Sequence, residues 1–153
     1  MDTPPRVCRR CGSDLSWQTC EVETVVGAHT VRDASGSGWS CRCGEYLLTT
    51  QALDGYAKRA ARTVLVDVPR VDGSVLKFAR KALRLTQVEL ASLLDVASET
   101  VSRWENNRDP VVRSTQLAVA ELLDLTLREG DDVLRALLAS DSMPSGPLNV
   151  RVA

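Results

Sequence analysis

Leu85-Thr86-Gln87-Val88-Glu89-Leu90-Ala91-Ser92-Leu93-Leu94-Asp95-Val96-Ala97-Ser98-Glu99-Thr100-Val101-Ser102-Arg103-Trp104-Glu105-Asn106 reads as two short helices joined by a three-residue turn. Thr86 suits a helix cap, and Glu89 three residues on supplies the reciprocal partner of a capping box. Val88, Leu90, Ala91 and Leu94 then fall where a helix from Thr86 to Leu94 would bury them. Asp95-Val96-Ala97 is the turn, and aspartate accepts left-handed backbone better than most residues. The second helix opens at Ser98, buries Val101 and Trp104, and leaves Ser98, Glu99, Ser102 and Arg103 on one outward face. Ala91 is small where the two helices must cross closely.

Further helices flank this pair. Val75, Leu76, Ala79 and Leu83 repeat at helical spacing after Asp72-Gly73-Ser74, with Asp72 or Ser74 as the cap; Ser114 to Leu127 and Asp131 to Leu138 follow. Residues 74–139 are thus expected to form an all-α, five-helix domain. The segment 64–73, with Pro69, reads as a linker, and 140–153, with two prolines and a glycine, as a flexible tail. Residues 1–63 read as a small β-rich module: β-formers from Leu15 to Val26, a turn at Ser35-Gly36-Ser37-Gly38, and a helix from Thr49 or Thr50 to about Ala61. The fold class expected is α+β, a β-rich module followed by the helical domain.

Cysteine placement gives that module its chemistry. Cys8-Arg9-Arg10-Cys11-Gly12 has the spacing of a zinc knuckle, and Cys41-Arg42-Cys43-Gly44 repeats it with one spacer residue in place of two. Four thiolates, Cys8, Cys11, Cys41 and Cys43, suffice for one tetrahedral Zn²⁺ per chain, with no open position and hence a structural role. Cys20 and His29 are spare donors, either of which could stand in for Cys41 if the shortened knuckle fails to place both sulfurs. The amino terminus Met1 to Arg10 is polar and no apolar run approaches membrane-span length, so a reducing cytoplasmic setting and no membrane partner are expected.

Composition narrows the function classes. Of 153 residues 44% are apolar but only six are aromatic, too few for binding by base stacking. The net charge of −1 conceals a basic middle: residues 58–113 carry 11 Lys and Arg against 7 Asp and Glu, a balance suited to phosphate contact. Arg103 can donate two hydrogen bonds to guanine O6 and N7; Glu99 can accept from a cytosine amino group or instead orient Arg103. His29 is the only histidine, and no Ser-His or Cys-His constellation or glycine-rich phosphate loop is present, so an enzyme is not expected.

The run Leu85 to Ala91 followed by Val101 to Asn106 resembles the Cro/repressor-like (XRE-type) helix-turn-helix family, with Asp95 where that family usually has glycine. The resemblance implies that Ser98, Glu99 and Arg103 read bases in the major groove, while Gln87, Asn106 and Arg108 contact phosphates. It further implies a homodimer on palindromic operator DNA. Leu117, Val119, Leu122, Leu123, Leu125, Leu127, Val133, Leu134, Leu137 and Leu138 are candidates for that interface or for the monomer core. With the cysteine module and Cys43-Gly44-Glu45 in front, the order of parts from about residue 8 to 127 resembles the MqsA-like (YgiT-type zinc finger) antitoxins. That resemblance implies an autorepressor of a toxin-antitoxin operon whose zinc module binds a toxin, an mRNA-cleaving ribonuclease. The alternative is a zinc-containing phage or defence-operon regulator with no toxin partner.

Overall fold

A computed structural model describes residues 7–140; the expected tail, from residue 141 on, lies outside the described residues. The architecture is α+β, as expected. A three-stranded antiparallel sheet, ordered β1 (Ser16–Val26), β2 (His29–Ser40) and β3 (Tyr46–Leu47), precedes six helices. These are α1 (Thr50–Asp67), α2 (Gly73–Ala82), α3 (Gln87–Leu93), α4 (Ser98–Glu105), α5 (Arg113–Glu129) and α6 (Asp132–Ala139).

The hairpin differs from expectation. The chain reverses at Gly27-Ala28, and Ser35-Gly36-Ser37-Gly38, expected as a turn, lies inside β2. Its glycines serve close approach instead: a Cβ on Gly36 would sit 2.6 Å from the Cys20 carbonyl oxygen, and one on Gly38 2.6 Å from the Tyr46 hydroxyl. The register also shifts between Cys20 and Val22, so the glycine signal marks an irregular, crowded strand. Trp17 and Trp39 face each other across the hairpin as an edge-to-face pair with ring centroids 5.3 Å apart.

Thr49 caps α1 by accepting from the Ala52 backbone N–H, and the helix runs to Asp67, beyond the expected end near Ala61. Residues 64–67, expected in a linker, are therefore its last turn, and Val64 and Leu65 are buried. The core joins both halves of the chain: Val26 of β1 and Ala60, Ala61, Val64 and Leu65 of α1 pack in one cluster with Val75, Leu76, Leu90, Val101, Val119 and Leu123. The C-terminal carbonyls of α1 are covered from α5, as Arg113 donates to Leu65, Val66 and Val68 and the buried Gln116 to Leu65 and Val68. A cation at that end also complements the helix dipole. Lys58, itself buried, bridges Asp54 of its own helix to Asp131 ahead of α6.

Candidate nucleic-acid interface and metal centre

The helix pair is built as the sequence suggests. Thr86 accepts from the Glu89 backbone N–H at 3.1 Å, and Glu89 accepts from the Thr86 backbone N–H at 2.8 Å, closing the capping box at the start of α3. Asp95 has φ +54°, the left-handed conformation expected of the turn. Leu90 and Ala91 are buried, but Val88, expected inside, is 66% exposed, since it lies on the solvent side of this two-turn helix. In α4, Val101 is fully buried and Trp104 nearly so, while Glu99 and Arg103 are exposed and Ser98 and Ser102 half-buried beside them. One face of α4 thus anchors in the core and the other presents the four expected side chains.

The position of α4 is set by a buried ion pair. Arg80 of α2 donates to both carboxylate oxygens of Glu105, Nε at 2.6 Å and Nη2 at 3.0 Å, and also to the Leu85 carbonyl. Gln87 adds a side-chain N–H to Glu105 at 2.8 Å, so the amide expected at phosphate is partly committed to the core. Asn106 folds its amide back on the Ser102 carbonyl, and Arg108 is exposed just beyond α4. Glu99 does not meet Arg103; it accepts from Ser98. The partner of Arg103 is Asp109, which sequence reasoning missed because it lies past the helix end, beyond any helical spacing.

The metal-ligating set is also assembled. The Sγ atoms of Cys8, Cys11, Cys41 and Cys43 all lie within 4.8 Å of one another, and all four cysteines are free thiols. Zinc–thiolate bonds of about 2.3 Å in a tetrahedron put neighbouring sulfurs roughly 3.8 Å apart. The pairs Cys8–Cys43 at 3.7 Å and Cys11–Cys41 at 3.2 Å are close to that spacing, so the donor set fits one metal ion.

Backbone geometry explains how unequal knuckles converge. In the first, the Gly12 N–H reaches back to the Cys8 carbonyl; in the second, the Gly44 N–H reaches Cys41, one residue closer. Both glycines have positive φ, +73° and +86°, and neither has a neighbour that a Cβ would strike, so left-handed backbone is what requires glycine there. Cys41 is therefore in the set, and Cys20 is instead paired with the Tyr46 hydroxyl. The Ser13 hydroxyl and backbone beside Cys11 draw its thiol down to about 6, whereas the hydrogen bond to Cys11 helps push the neighbouring Cys41 thiol up.

Residues 76–129 match the helix-turn-helix family model, which covers α3, α4 and α5 with most of α2. The chain is 35% identical over 78 residues, 51% of its length, to a protein of Thermococcus gammatolerans named as an HTH-type transcriptional regulatory protein. It is 32% identical over 81 residues, 53% of its length, to one so named from Pyrococcus horikoshii. A third, from Methanococcoides burtonii, is 35% identical over 66 residues, 43% of this chain and 20% of that protein. The chain spans about a quarter of the length of the first two of these relatives. Among the described residues, no helix is long and apolar enough to cross a membrane.

Proposed function

We propose that the protein is a sequence-specific DNA-binding transcription repressor that takes palindromic operator DNA as a homodimer. The observation that carries this reading is α4, locked at its base by the Arg80–Glu105 pair and exposing Glu99 and Arg103 beside Ser98 and Ser102. Arg103 reads guanine, Ser98 and Glu99 contribute to base-edge contact, and Gln87, Asn106 and Arg108 meet phosphates. Half-sites stand about one helical turn apart, roughly 34 Å, so each operator engages two copies. Leu117, Leu127 and Leu137 support the dimer because they remain exposed on α5 and α6, whereas Val119, Leu123 and Leu134 are consumed by the monomer core. The repressor acts in the cytoplasm and is not an enzyme.

Titration of the full chain against duplex from its own upstream region tests the reading. Affinity falls steeply between about 50 and 200 mM salt as phosphate contacts release counterions. Arg103→Ala costs about 1–3 kcal/mol of binding and relaxes sequence preference; unchanged operator affinity overturns the assignment.

The cysteine cluster holds one structural zinc that folds the β-module. Cys8→Ser is expected to abolish stoichiometric zinc, and metal retained at one per chain overturns the ligand set. A second reading, the antitoxin of a toxin-antitoxin operon, draws support from the Trp17–Trp39 pair, whose Trp17 is 53% exposed on the sheet beside the cysteines. Co-purification of a ribonuclease encoded in the neighbouring gene, lost in Trp17→Ala, favours it over a phage or defence-operon repressor without a toxin.

A further inference from the structure

The Arg103 side chain is paired with a carboxylate beside it. Its Nε donates to Asp109 Oδ2 at 2.6 Å and its Nη2 to Asp109 Oδ1 at 3.1 Å, a two-point contact along one edge of the guanidinium. A guanidinium has five N–H donors in a rigid fork. With two taken by Asp109, the forward edge between Nη1 and Nη2 keeps a parallel pair of N–H groups, the arrangement that matches guanine O6 and N7.

Asp109 is held by the way α4 ends. Asn107 takes the left-handed conformation, φ +55°, its N–H bonds to the Trp104 carbonyl, and the Arg108 N–H bonds to the Arg103 carbonyl at 2.9 Å. This is a Schellman closure with asparagine in place of glycine. The Asn107 side chain then accepts from the Gly73 backbone N–H at 2.7 Å, fastening the turn to the start of α2. Any Cβ on Gly73 would collide with the carbonyls of Trp104 and Glu105, so the two elements touch through backbone. The next residue but one after Asn107 is Asp109, whose own N–H points to the Arg103 carbonyl.

An ion pair this exposed, 56% for Arg103 and 40% for Asp109, contributes little to stability in water, about 0–1 kcal/mol. A structural purpose accounts poorly for it, and on a surface meant for DNA a carboxylate is a cost that needs a return. We propose that Asp109 is a specificity-determining positioning residue: it fixes the plane of the Arg103 guanidinium so that its free edge meets one guanine in each half-site. This rests on the proposed operator binding by α4. Asp109 also carries the repulsion that discourages phosphate-only, non-specific engagement. Hydrogen bonding to Arg103 holds the Asp109 carboxyl below its ordinary range, so the clamp stays charged at neutral pH.

Selection of duplexes from a randomised library by the full-length, zinc-supplemented protein tests this. The wild type is expected to select a palindrome with one strongly preferred guanine per half-site. Asp109→Ala is expected to lose that preference about tenfold at this position alone, to keep the other positions, and to bind random duplex more tightly. Asp109→Asn, able to accept one hydrogen bond but without charge, should fall between. In an Arg103→Ala background, Asp109→Ala should change base preference no further, a coupling that a purely structural residue would not produce. If Asp109→Ala keeps the wild-type guanine preference, or sharpens it, the positioning role is wrong while operator binding stands. If the wild type selects no sequence, both fall.

Discussion

Glu105 is a buried carboxylate whose charge depends on its neighbours. Its side chain is 2% exposed, and burial alone would push its carboxyl up, yet Arg80, then Gln87 and more distantly Lys77, hold it below the ordinary carboxylate range. A group with a depressed folded pKa contributes stability that is present above its unfolded value and lost as pH falls through the folded one. Urea unfolding is therefore expected to show stability declining below about pH 4.5, and Glu105→Gln should flatten that dependence. Asp72 and Glu89, drawn down chiefly by the Ser74 side chain and the Thr86 backbone respectively, add to the same acid limb. Glu105→Ala leaves the Arg80 guanidinium, largely enclosed, without its counter-charge, at a cost of about 3 kcal/mol at neutral pH. A loss below about 1 kcal/mol would show that Leu85 and water satisfy Arg80 well enough, and that the pair is dispensable for placing α4.

At the scale of elements, α2, α3 and α4 end alike. Arg84, Asp95 and Asn107 each adopt φ near +55° and are followed by a backbone N–H that reaches back five residues. Each is a left-handed helix stop without glycine. Among the described residues Asp95 has neither the clamp of Asn107 nor the ion pairs of Arg84, so Asp95→Gly is expected to raise stability by about 0.5 kcal/mol, the strain relieved slightly exceeding the added chain entropy. A thermal unfolding midpoint that drops instead would mean that aspartate bonds locally in the turn. These elements also mark what sequence could and could not convey. The capping box, the Asp95 turn and the buried Val101 and Trp104 were legible because each rests on neighbours within one helical turn. Ser35 to Gly38 was not, because glycine signals both a reversal and a strand pressed against its neighbour, and only the partner, here Cys20 and Tyr46, distinguishes them. Val88 misled for a related reason: in a seven-residue helix, periodicity spans too few turns to fix which side is buried. Asp109 escaped because its contact with Arg103 is made by the chirality of the turn, not by spacing.

For the molecule as a whole, α1 ties the two halves together. It packs on α5 and α2 along one side and on both long strands along the other. The hairpin tip carries the link further, since Gly27 abuts Ser74 and Val75 at the start of α2 and Val26 is fully buried in the shared core. A division at residues 64–73 would cut through this cluster. The segment 72–139 contains the whole helix pair, but without α1 it loses Ala60, Ala61, Val64 and Leu65 from its core, and the faces of α2 and α5 that pack on α1 are uncovered. Burying a valine or leucine contributes about 1.5–3 kcal/mol each, and the apolar surface uncovered on α2 and α5 adds to the loss. Against a net stability of about 5–15 kcal/mol for a domain, that sum removes most or all of the margin. Residues 72–139 are thus expected to unfold without a cooperative transition, followed by Trp104 fluorescence and far-ultraviolet dichroism, whereas residues 49–140 should unfold cooperatively. A sharp transition in the shorter fragment, at a midpoint close to that of the full chain, would mean that α1 is carried by the helical domain without supporting it. Cooperative melting confined to the longer fragment makes α1 part of the folding unit of the helical half, as its packing on α2 and α5 implies.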